Sequence, residues 1–392
     1  MEKKILILGS AIILLLFGAI GFYELEENRV AVEPVLYPDT KQEETELKGY
    51  EEAEELIEYM VYQIREQNLD LAMRGCAFQN ISEYFMLEYY IRFLERFEHL
   101  DLIPPSDTDS EAYRAITNAR LAAVYASTLE QLMGKLTFDN QFELLGIVED
   151  VPENPDGKYY TDRESICEIL GARTLKEYII YLKVDNQTME LRCTLARFKK
   201  YWKMLSFHSL EDISIEYVDL RRSKEEFQET ISLETYKEDI LPCNYFIINH
   251  CSEDDIEVLL KRFFLYLQRE DALSAMAYMD IYEEETELNN LSQFLAKQAE
   301  AAKKIQNFYY QTFLYDENYY AWVFRDLDDR GGDLAITLST TNMLFSNLYH
   351  IQEVQNDGTQ AIYYLEFGFG NQWFRKEVHL VNKNGWKVVD IY

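Results

Sequence analysis

The side chains that could bind a metal ion are few and scattered along the chain. The five histidines are His99, His208, His250, His350 and His379, and the five cysteines are Cys76, Cys167, Cys193, Cys243 and Cys251. Only His250, beside Cys251 and downstream of Cys243, brings both residue types together. A structural zinc site needs four ligands at short spacings, and no fourth ligand stands nearby. We therefore predict no metal site.

The same cysteines admit two other interpretations. Cys243 and Cys251 are close enough in sequence for one local disulfide, which an exported protein could form. The odd number of cysteines argues against a disulfide framework. The second interpretation is that they are small apolar side chains in a core.

An acidic run at residues 326–333 partly matches a calcium-binding loop. Asp326 and Asp328 fit the first and third positions of an EF-hand loop. Arg330 stands where an acid or asparagine is needed, and Thr337 replaces the closing glutamate. This run is therefore interpreted as a polar turn between two strands.

No pattern in the sequence identifies a nucleophile or a bound cofactor. The chain has no Gly-rich phosphate loop and no Gly-x-Ser-x-Gly motif. Serine, histidine and aspartate cannot be assembled into a triad from sequence alone. We nominate no catalytic residue, no cofactor-binding residue and no cofactor.

Composition limits the kind of protein and its partners. A chain of 392 residues, 48% hydrophobic and 14% aromatic, is expected to fold into two or three units. Its 70 acidic residues against 38 basic ones leave a net charge of −32. So acidic a surface repels phosphate backbones, which excludes nucleic acid as a partner. It also repels anionic lipid, which favours a part held away from the bilayer.

The N-terminus carries the features of a membrane anchor. Ile5 to Phe22 is a run without a charged residue, long enough at 1.5 Å per residue to cross a hydrocarbon core. Lys3 and Lys4 precede it, and basic residues stay in the cytoplasm. We predict a cytoplasmic segment at residues 1–4, a transmembrane signal anchor at residues 5–23, and export of the rest.

Two details bear on this anchor. Ala19-Ile20-Gly21 is an acceptable cleavage site, so a cleaved signal peptide and a secreted protein are the alternative. A lipoprotein is excluded because no cysteine precedes Cys76. Residues 24–48 are acidic and lack periodicity, which indicates a stalk.

The remaining chain contains an internal repeat. Apolar residues with helical spacing at 53–64 recur at 256–267, a constant offset of 203 residues. Ser252 with Asp255 predicts a capping box for the second helix, and Gly49 takes the equivalent place in the first. Each half also ends alike, with Trp202 matched by Trp386 at an offset of 184. We placed the surplus of the first copy around residues 102–112.

The elements inside each copy follow one order, with helices first and strands after them. Helices are predicted at 82–98 and 111–133 in the first copy and at 284–306 in the second. In the second copy, strands are predicted at 308–314, 319–326, 334–339, 349–354, 361–369, 373–381 and 386–391. Helices grouped before an antiparallel meander indicate an α+β unit.

This order carries a resemblance to a known superfamily. A first helix that runs into Gln-Arg-Glu-Asp-Ala-Leu-Ser-Ala-Met at 268–276, and a sheet that closes on Asn-Gly-Trp-Lys-Val-Val-Asp-Ile at 384–391, resemble the NTF2-like superfamily, a cone-shaped α+β fold. The resemblance implies a first domain with an insert at residues 49–218, a linker at 219–251, and a second, better-matching domain at 252–392.

The resemblance does not identify an activity, because this fold hosts isomerases, dehydratases and non-catalytic modules. A catalytic pocket would need a carboxylate or a His–Asp pair in an apolar cavity, and Tyr310, Tyr320 and Asp280 are among the residues that could serve. Whether the chain is an enzyme stays open, and the absence of a catalytic signature favours a non-catalytic interaction module of the cell envelope. The alternatives are a secreted isomerase- or hydrolase-like enzyme and a structural component of an envelope assembly.

Overall fold

The computed structural model describes residues 49–86, 111–136, 142–152, 155, 157–209, 215, 217–227, 229–233, 251–269, 271–281, 291–313, 348, 350–369 and 372–392. The described chain falls into a first half, residues 49–233, and a second half, residues 251–392. Both halves combine helices with one antiparallel sheet. The predicted α+β class is confirmed.

The first half has five described helices and five described strands. The helices are α1 (Ala53–Arg65), α2 (Leu69–Arg74), α3 (Phe78–Tyr84), α4 (Glu111–Leu136) and α5 (Gly157–Leu170). The strands are β1 (Glu143–Glu149), β2 (Thr174–Val184), β3 (Gln187–Phe198), β4 (Tyr201–Ser206) and β5 (Leu220–Arg222). Strands β1 to β4 pair in sequence order, and β5 pairs with β3. Helix α1 forms where its periodicity predicts, and its apolar stripe, including Leu56 and Ile57, is fully buried.

The second half repeats this plan with fewer described elements. Its helices are α6 (Ile256–Gln268), α7 (Ala272–Ala277) and α8 (Leu291–Phe313), and its strands are β6 (His350–Asn356), β7 (Gln360–Phe369), β8 (Gln372–Asn382) and β9 (Trp386–Ile391). The four strands pair in sequence order. The prediction of the last three strands is confirmed to within one residue at each end, because hairpin turns rich in Asn and Gly separate them.

Hydrogen bonds between the helices and the last strand recur at the two offsets found in the sequence. They are Trp202 N–H to Tyr50 O (2.9 Å) and Met204 N–H to Gly75 O (2.8 Å) in the first half, and Trp386 N–H to Glu253 O (2.8 Å) and Val388 N–H to Tyr278 O (2.9 Å) in the second. The helix-side residue shifts by 203 and the strand-side residue by 184. The two halves therefore close on their last strands in the same way.

The halves are joined through α4 and α8, which pack along each other. The Arg120 guanidinium donates to Gln306 Oε1 (2.6 Å), and the Ser292 hydroxyl donates to Glu130 Oε2 (2.5 Å). Small residues on both helices, among them fully buried Ala122, permit this close approach. One continuous apolar core therefore runs through both halves.

Three local predictions are corrected by the structure. The aromatic run predicted as a strand at 308–314 forms the last turns of α8 as far as Phe313, because Phe308 and Tyr309 continue the buried face of that helix. Helix α6 is capped by Asp255 itself, whose carboxylate accepts from the N–H groups of Glu257 (2.8 Å) and Val258 (3.1 Å). The predicted helix at 82–98 overlaps α3 as far as Tyr84, Phe85 and Met86 are not helical, and residues 87–98 lie outside the described residues.

The surplus of the first copy also differs from its prediction. The first half is indeed longer between α3 and α4, where residues 102–110 lie outside the described residues. It is longer again between β1 and β2, where α5 stands in place of the turn at residues 357–359 between β6 and β7. The second half is longer between α8 and β6. The difference between the offsets of 203 and 184 residues gives only the sum of these length changes, so a single insert at residues 102–112 does not account for them.

The predicted linker begins with residues that belong to the first sheet. We call residues 217–227 and 229–233 the strap. Within it β5 pairs with β3, the Phe227 ring lies 4.8 Å from the Tyr181 ring, and the Ile231 N–H donates to Leu144 O at 2.8 Å. Gly146 makes this path possible, because a Cβ there would lie 2.8 Å from the Phe227 ring. The first folding unit therefore extends beyond residue 218, across the outer face of its sheet, and the rest of the predicted linker lies outside the described residues.

Candidate interaction surface

The described cysteines are free thiols. Cys76 and Cys193 are buried, and Cys167 and Cys251 are half-buried. Burial raises the pKa of Cys193 well above its ordinary range and that of Cys167 to about 11, which keeps both thiols protonated and unreactive. These cysteines fit the packing interpretation, and Cys243 lies outside the described residues.

The other groups considered for metal or calcium binding lie mostly beyond the described ranges. His250 and the acidic run at 326–333 are outside them. Within the described ranges no three His, Cys, Asp or Glu side chains are grouped so as to hold a metal ion. His379 is described and pairs with a carboxylate, as shown below.

Of Tyr310, Tyr320 and Asp280, the residues named above for a catalytic pocket, only Asp280 has a described side chain. Its side chain is largely buried, and the Lys383 ammonium donates to its Oδ2 at 2.9 Å. With Gln355, Ile362 and His379 it lines a cleft of about 390 Å³ in the second half. Tyr310 lies in α8, but its side chain is outside the described part of the chain. Tyr320 lies wholly outside it. The structure therefore does not bring these three residues into one described site.

Two buried carboxylates in the described residues are neutralised by arginine. Glu177 pairs with Arg163 of α5 at 3.1 Å, and Asp219 pairs with Arg221 at 2.5 Å. Both lie in the first half: the Glu177–Arg163 pair joins β2 to α5, and the Asp219–Arg221 pair lies within the strap. Buried charges require such partners, and structural pairing explains both.

Lys376 is an unusual residue on the helix-covered face of the second sheet. It is buried opposite Leu365, while Leu191 holds the corresponding place opposite Ile180 in the first sheet. Desolvation lowers the pKa of Lys376, because burial disfavours the ammonium form.

Replacing Lys376 by leucine is expected to raise the free energy of unfolding by about 1 kcal/mol or more at neutral pH. The pKa of Lys376 is lower in the folded protein than in the unfolded chain, where it is about 10.4. Between these two pKa values the unfolded chain binds more protons than the folded protein, so stability rises with pH. Wild-type stability should therefore rise through this window more than that of Lys376→Leu. Urea unfolding at pH 7 and pH 10, with Lys387→Leu as surface control, measures the difference. Equal pH dependence of the two proteins would contradict it.

The opposite, outer face of the second sheet is exposed and rich in aromatic and charged side chains. Alternation along the paired strands places Gln352, Tyr364, Glu366, Trp373, Arg375, Glu377, His379 and Tyr392 on it. Trp373 is 68% exposed and Tyr392 is 55% exposed. Exposed aromatics grouped on one face are typical of interaction sites.

Contacts between neighbouring strands hold this face in a defined arrangement. The Arg375 guanidinium lies 4.1 Å above the Tyr364 ring, donates to Gln352 Oε1 at 2.6 Å, and approaches Glu366 at 3.4 Å. These contacts stretch across β6, β7 and β8. The ring and the guanidinium are thus presented with little conformational freedom to lose on binding.

A second cluster extends the face toward β9. His379 Nε2 lies 2.6 Å from Glu377 Oε1, and its ring meets the Tyr392 ring edge-on at 5.0 Å. The hydrogen bond from His379 lowers the pKa of Glu377. The pair has the elements of an acid–base dyad, but both side chains are about one-third exposed, and the geometry fits surface organisation better.

The equivalent face of the first sheet is covered by the protein itself. Helix α5 contacts it through Arg163 and Glu177, and the strap places Phe227 on Tyr181. The contrast makes the outer face of the second sheet the strongest candidate site. The sequence analysis did not identify this face, although polar and aromatic residues mark it at positions 364 and 366 and at every second position of 373–379.

Comparison with solved structures identifies the fold. The crystal structure of a cystatin-like protein from Ruminococcus gnavus superimposes with a TM-score of 0.66 at 21% sequence identity, over 86% of this chain and 87% of that chain. The chain shares the α+β fold of this cystatin-like protein, which supports the NTF2-like fold expected from the sequence. An Ntf2-like protein involved in plasmid conjugation aligns over 76% of this chain and 91% of that chain at 10% identity, with a TM-score of 0.14 that is too low to compare folds.

The comparisons leave activity undefined. No family model and no curated protein matches the sequence. Among the described residues no helix has both the length and the apolar character needed to span a bilayer, and residues 5–23 lie outside them.

Proposed function

We propose that this chain is a membrane-anchored, extracytoplasmic protein that acts as a non-catalytic interaction module of the cell envelope. In this proposal residues 5–23 are the anchor, residues 24–48 the stalk, and the two halves tandem NTF2-like domains. The recurring offsets of 203 and 184 support the tandem arrangement. The apolar run behind Lys3 and Lys4 supports export.

One observation carries the interaction role. No described element covers the outer face of the second sheet, which Arg375 holds in shape, whereas the first sheet has its own strap and α5 on that face. An exposed aromatic surface that is already ordered loses little entropy when a partner covers it. The first half then serves as a support for the second through α4 and α8.

Site-specific photocrosslinking tests this role. A benzophenone amino acid at position 364, in the full chain in its native membranes, should capture a discrete partner. The same group at Tyr160, which is 59% exposed on α5, is the matched control. Equal products from both positions, or none from position 364, would overturn the proposal.

The anchor makes its own prediction. The full chain should remain in carbonate-washed membranes, while a chain that starts at Glu24 should be almost wholly in the soluble fraction. Protease added to intact cells or spheroplasts should degrade the exported part of the full chain. Recovery of a soluble mature protein that begins just after Gly21 would instead support the cleaved signal peptide.

The alternative is an enzyme with a pocket in the second half, and Asp280 is the observation that favours it. This carboxylate is largely buried, lines the 390 Å³ cleft and shares it with His379. Its ion pair with Lys383 gives it a structural role in the interaction proposal. Asp280→Asn should therefore leave crosslinking from position 364 intact, and loss of a turnover found in the wild type would favour the enzyme.

A further inference from the structure

We propose that the outer face of the second sheet, together with the edge of β6 that no described strand pairs, binds an extended, basic segment of a partner protein that carries an aromatic anchor. This inference rests on the interaction role proposed above and deepens it by naming the chemistry of the partner. The first half of the same chain shows how such a segment can lie on this kind of sheet.

The strap is the intramolecular example. It starts as a short strand on β3, crosses the outer face with Phe227 against Tyr181, and ends with the Ile231 N–H bonded to Leu144 of β1. It therefore combines backbone pairing at an edge with one aromatic anchor on the face. These are the two components of recognition by β-strand addition.

The second sheet offers the same two components. Strand β6 is its edge among the described strands, and Val354 on it is 48% exposed. The backbone groups of Glu377 and Tyr392 bond to each other, so the odd-numbered residues of β8 bond to β9 and the even-numbered ones to β7. Following the strand pairing across β7, the backbone of Gln352 bonds to β7. The backbone N–H groups of its neighbours Ile351 and Glu353 therefore point away from the sheet. The face beside this edge presents the Tyr364 ring and Arg375.

Charge selects the partner. The outer face carries Glu366 and Glu377 beside Arg375. On the helix side of the same edge, Asp254, Asp255 and Glu257 line a depression of about 500 Å³ at the far end of β6 with Tyr363, whose hydroxyl donates a hydrogen bond to Glu353. A segment paired along β6 turns alternate side chains toward each of these two acidic groups. Close charges of one sign favour an oppositely charged ligand within a Debye length of about 8–10 Å.

Net charge argues against a second copy of this chain as the ligand of this surface. Two chains of net charge −32 repel each other, whereas a basic segment is drawn to this surface. The chain's own strap is also already engaged on the first sheet.

The test uses a phage-displayed library of random twelve-residue peptides selected on the full chain in detergent micelles. We expect enriched peptides to carry an aromatic residue flanked by Lys or Arg. A synthetic peptide of the leading sequence should bind at least tenfold more weakly to Tyr364→Asp and to Val354→Arg, and equally well to the Tyr160→Asp control. Both substituted side chains on the face are at least partly exposed, and circular dichroism checks that the variants fold.

Residue-resolved hydrogen exchange tests the edge separately. The bound peptide should slow exchange of the amides of Ile351 and Glu353, and should leave that of Gln352, already bonded to β7, nearly unchanged. The inference is overturned if no peptide is enriched, if acidic peptides are enriched, if the β6 amides stay unprotected, or if self-association covers the face. If position 364 captures a partner while the library fails, the interaction role stands and only this inference falls. If both fail, neither stands.

Discussion

Replacing Phe367 by alanine is expected to lower the free energy of unfolding by about 3–5 kcal/mol, the largest stability effect that we predict for a single side chain. Phe367 is fully buried on the inner face of β7. Its ring lies 4.8 Å from that of Phe264 on α6, 5.8 Å from Phe308 on α8 and 5.7 Å from Phe374 on β8. Truncation removes the group on which two helices and a neighbouring strand converge, and it leaves a cavity that these rings cannot fill without moving.

Urea unfolding followed by circular dichroism and tryptophan fluorescence measures this effect. Leu182→Ala, in the corresponding place of the first sheet, should cost about 2–5 kcal/mol, because Leu182 is also buried. Tyr160→Ala is the exposed control and should change stability by about 0.5 kcal/mol or less. A loss below 1 kcal/mol for Phe367→Ala would mean that the core of the second half is not packed as described.

Replacing Tyr364 by aspartate is expected to reduce partner binding at least tenfold, which corresponds to about 1.4 kcal/mol. The substitution removes the ring that packs beneath the Arg375 guanidinium and is the aromatic contact surface proposed for the partner. The added carboxylate by itself favours a basic partner, so the expected loss of binding is assigned to the missing ring. Because Tyr364 is only partly buried, the fold itself should persist.

The measurement is the yield of partner captured by a crosslinker placed at a second position on the face, Gln352. Tyr160→Asp adds the same charge to an exposed aromatic position of the first half and should leave the yield unchanged. Equal losses for the two variants would point to a general charge effect. An unchanged yield for Tyr364→Asp would remove the outer face from the proposed function.

Elements with a clear local pattern could be predicted from sequence. Helices α1 and α6 match their predicted ranges to within one residue, because an apolar stripe of helical spacing has one way to be buried. The closing strands β7, β8 and β9 match because turn residues stand between alternating runs. The aromatic run from Phe308 has no such pattern; the structure places it in the last turns of α8, where Phe308 packs against Phe367 of β7.

The sequence by itself determined that two similar α+β halves follow an apolar N-terminal run and that their surface is acidic. These properties depend on composition and on local sequence patterns, which can be compared between the two halves without knowing any contact between them. Only the tertiary structure decided which face of each sheet is covered. Contacts such as that of Phe227 with Tyr181 join residues far apart in the chain, and the sequence around either residue does not predict the other as its partner. The open face of the second sheet, on which the proposed function rests, is visible only once those long-range contacts are known.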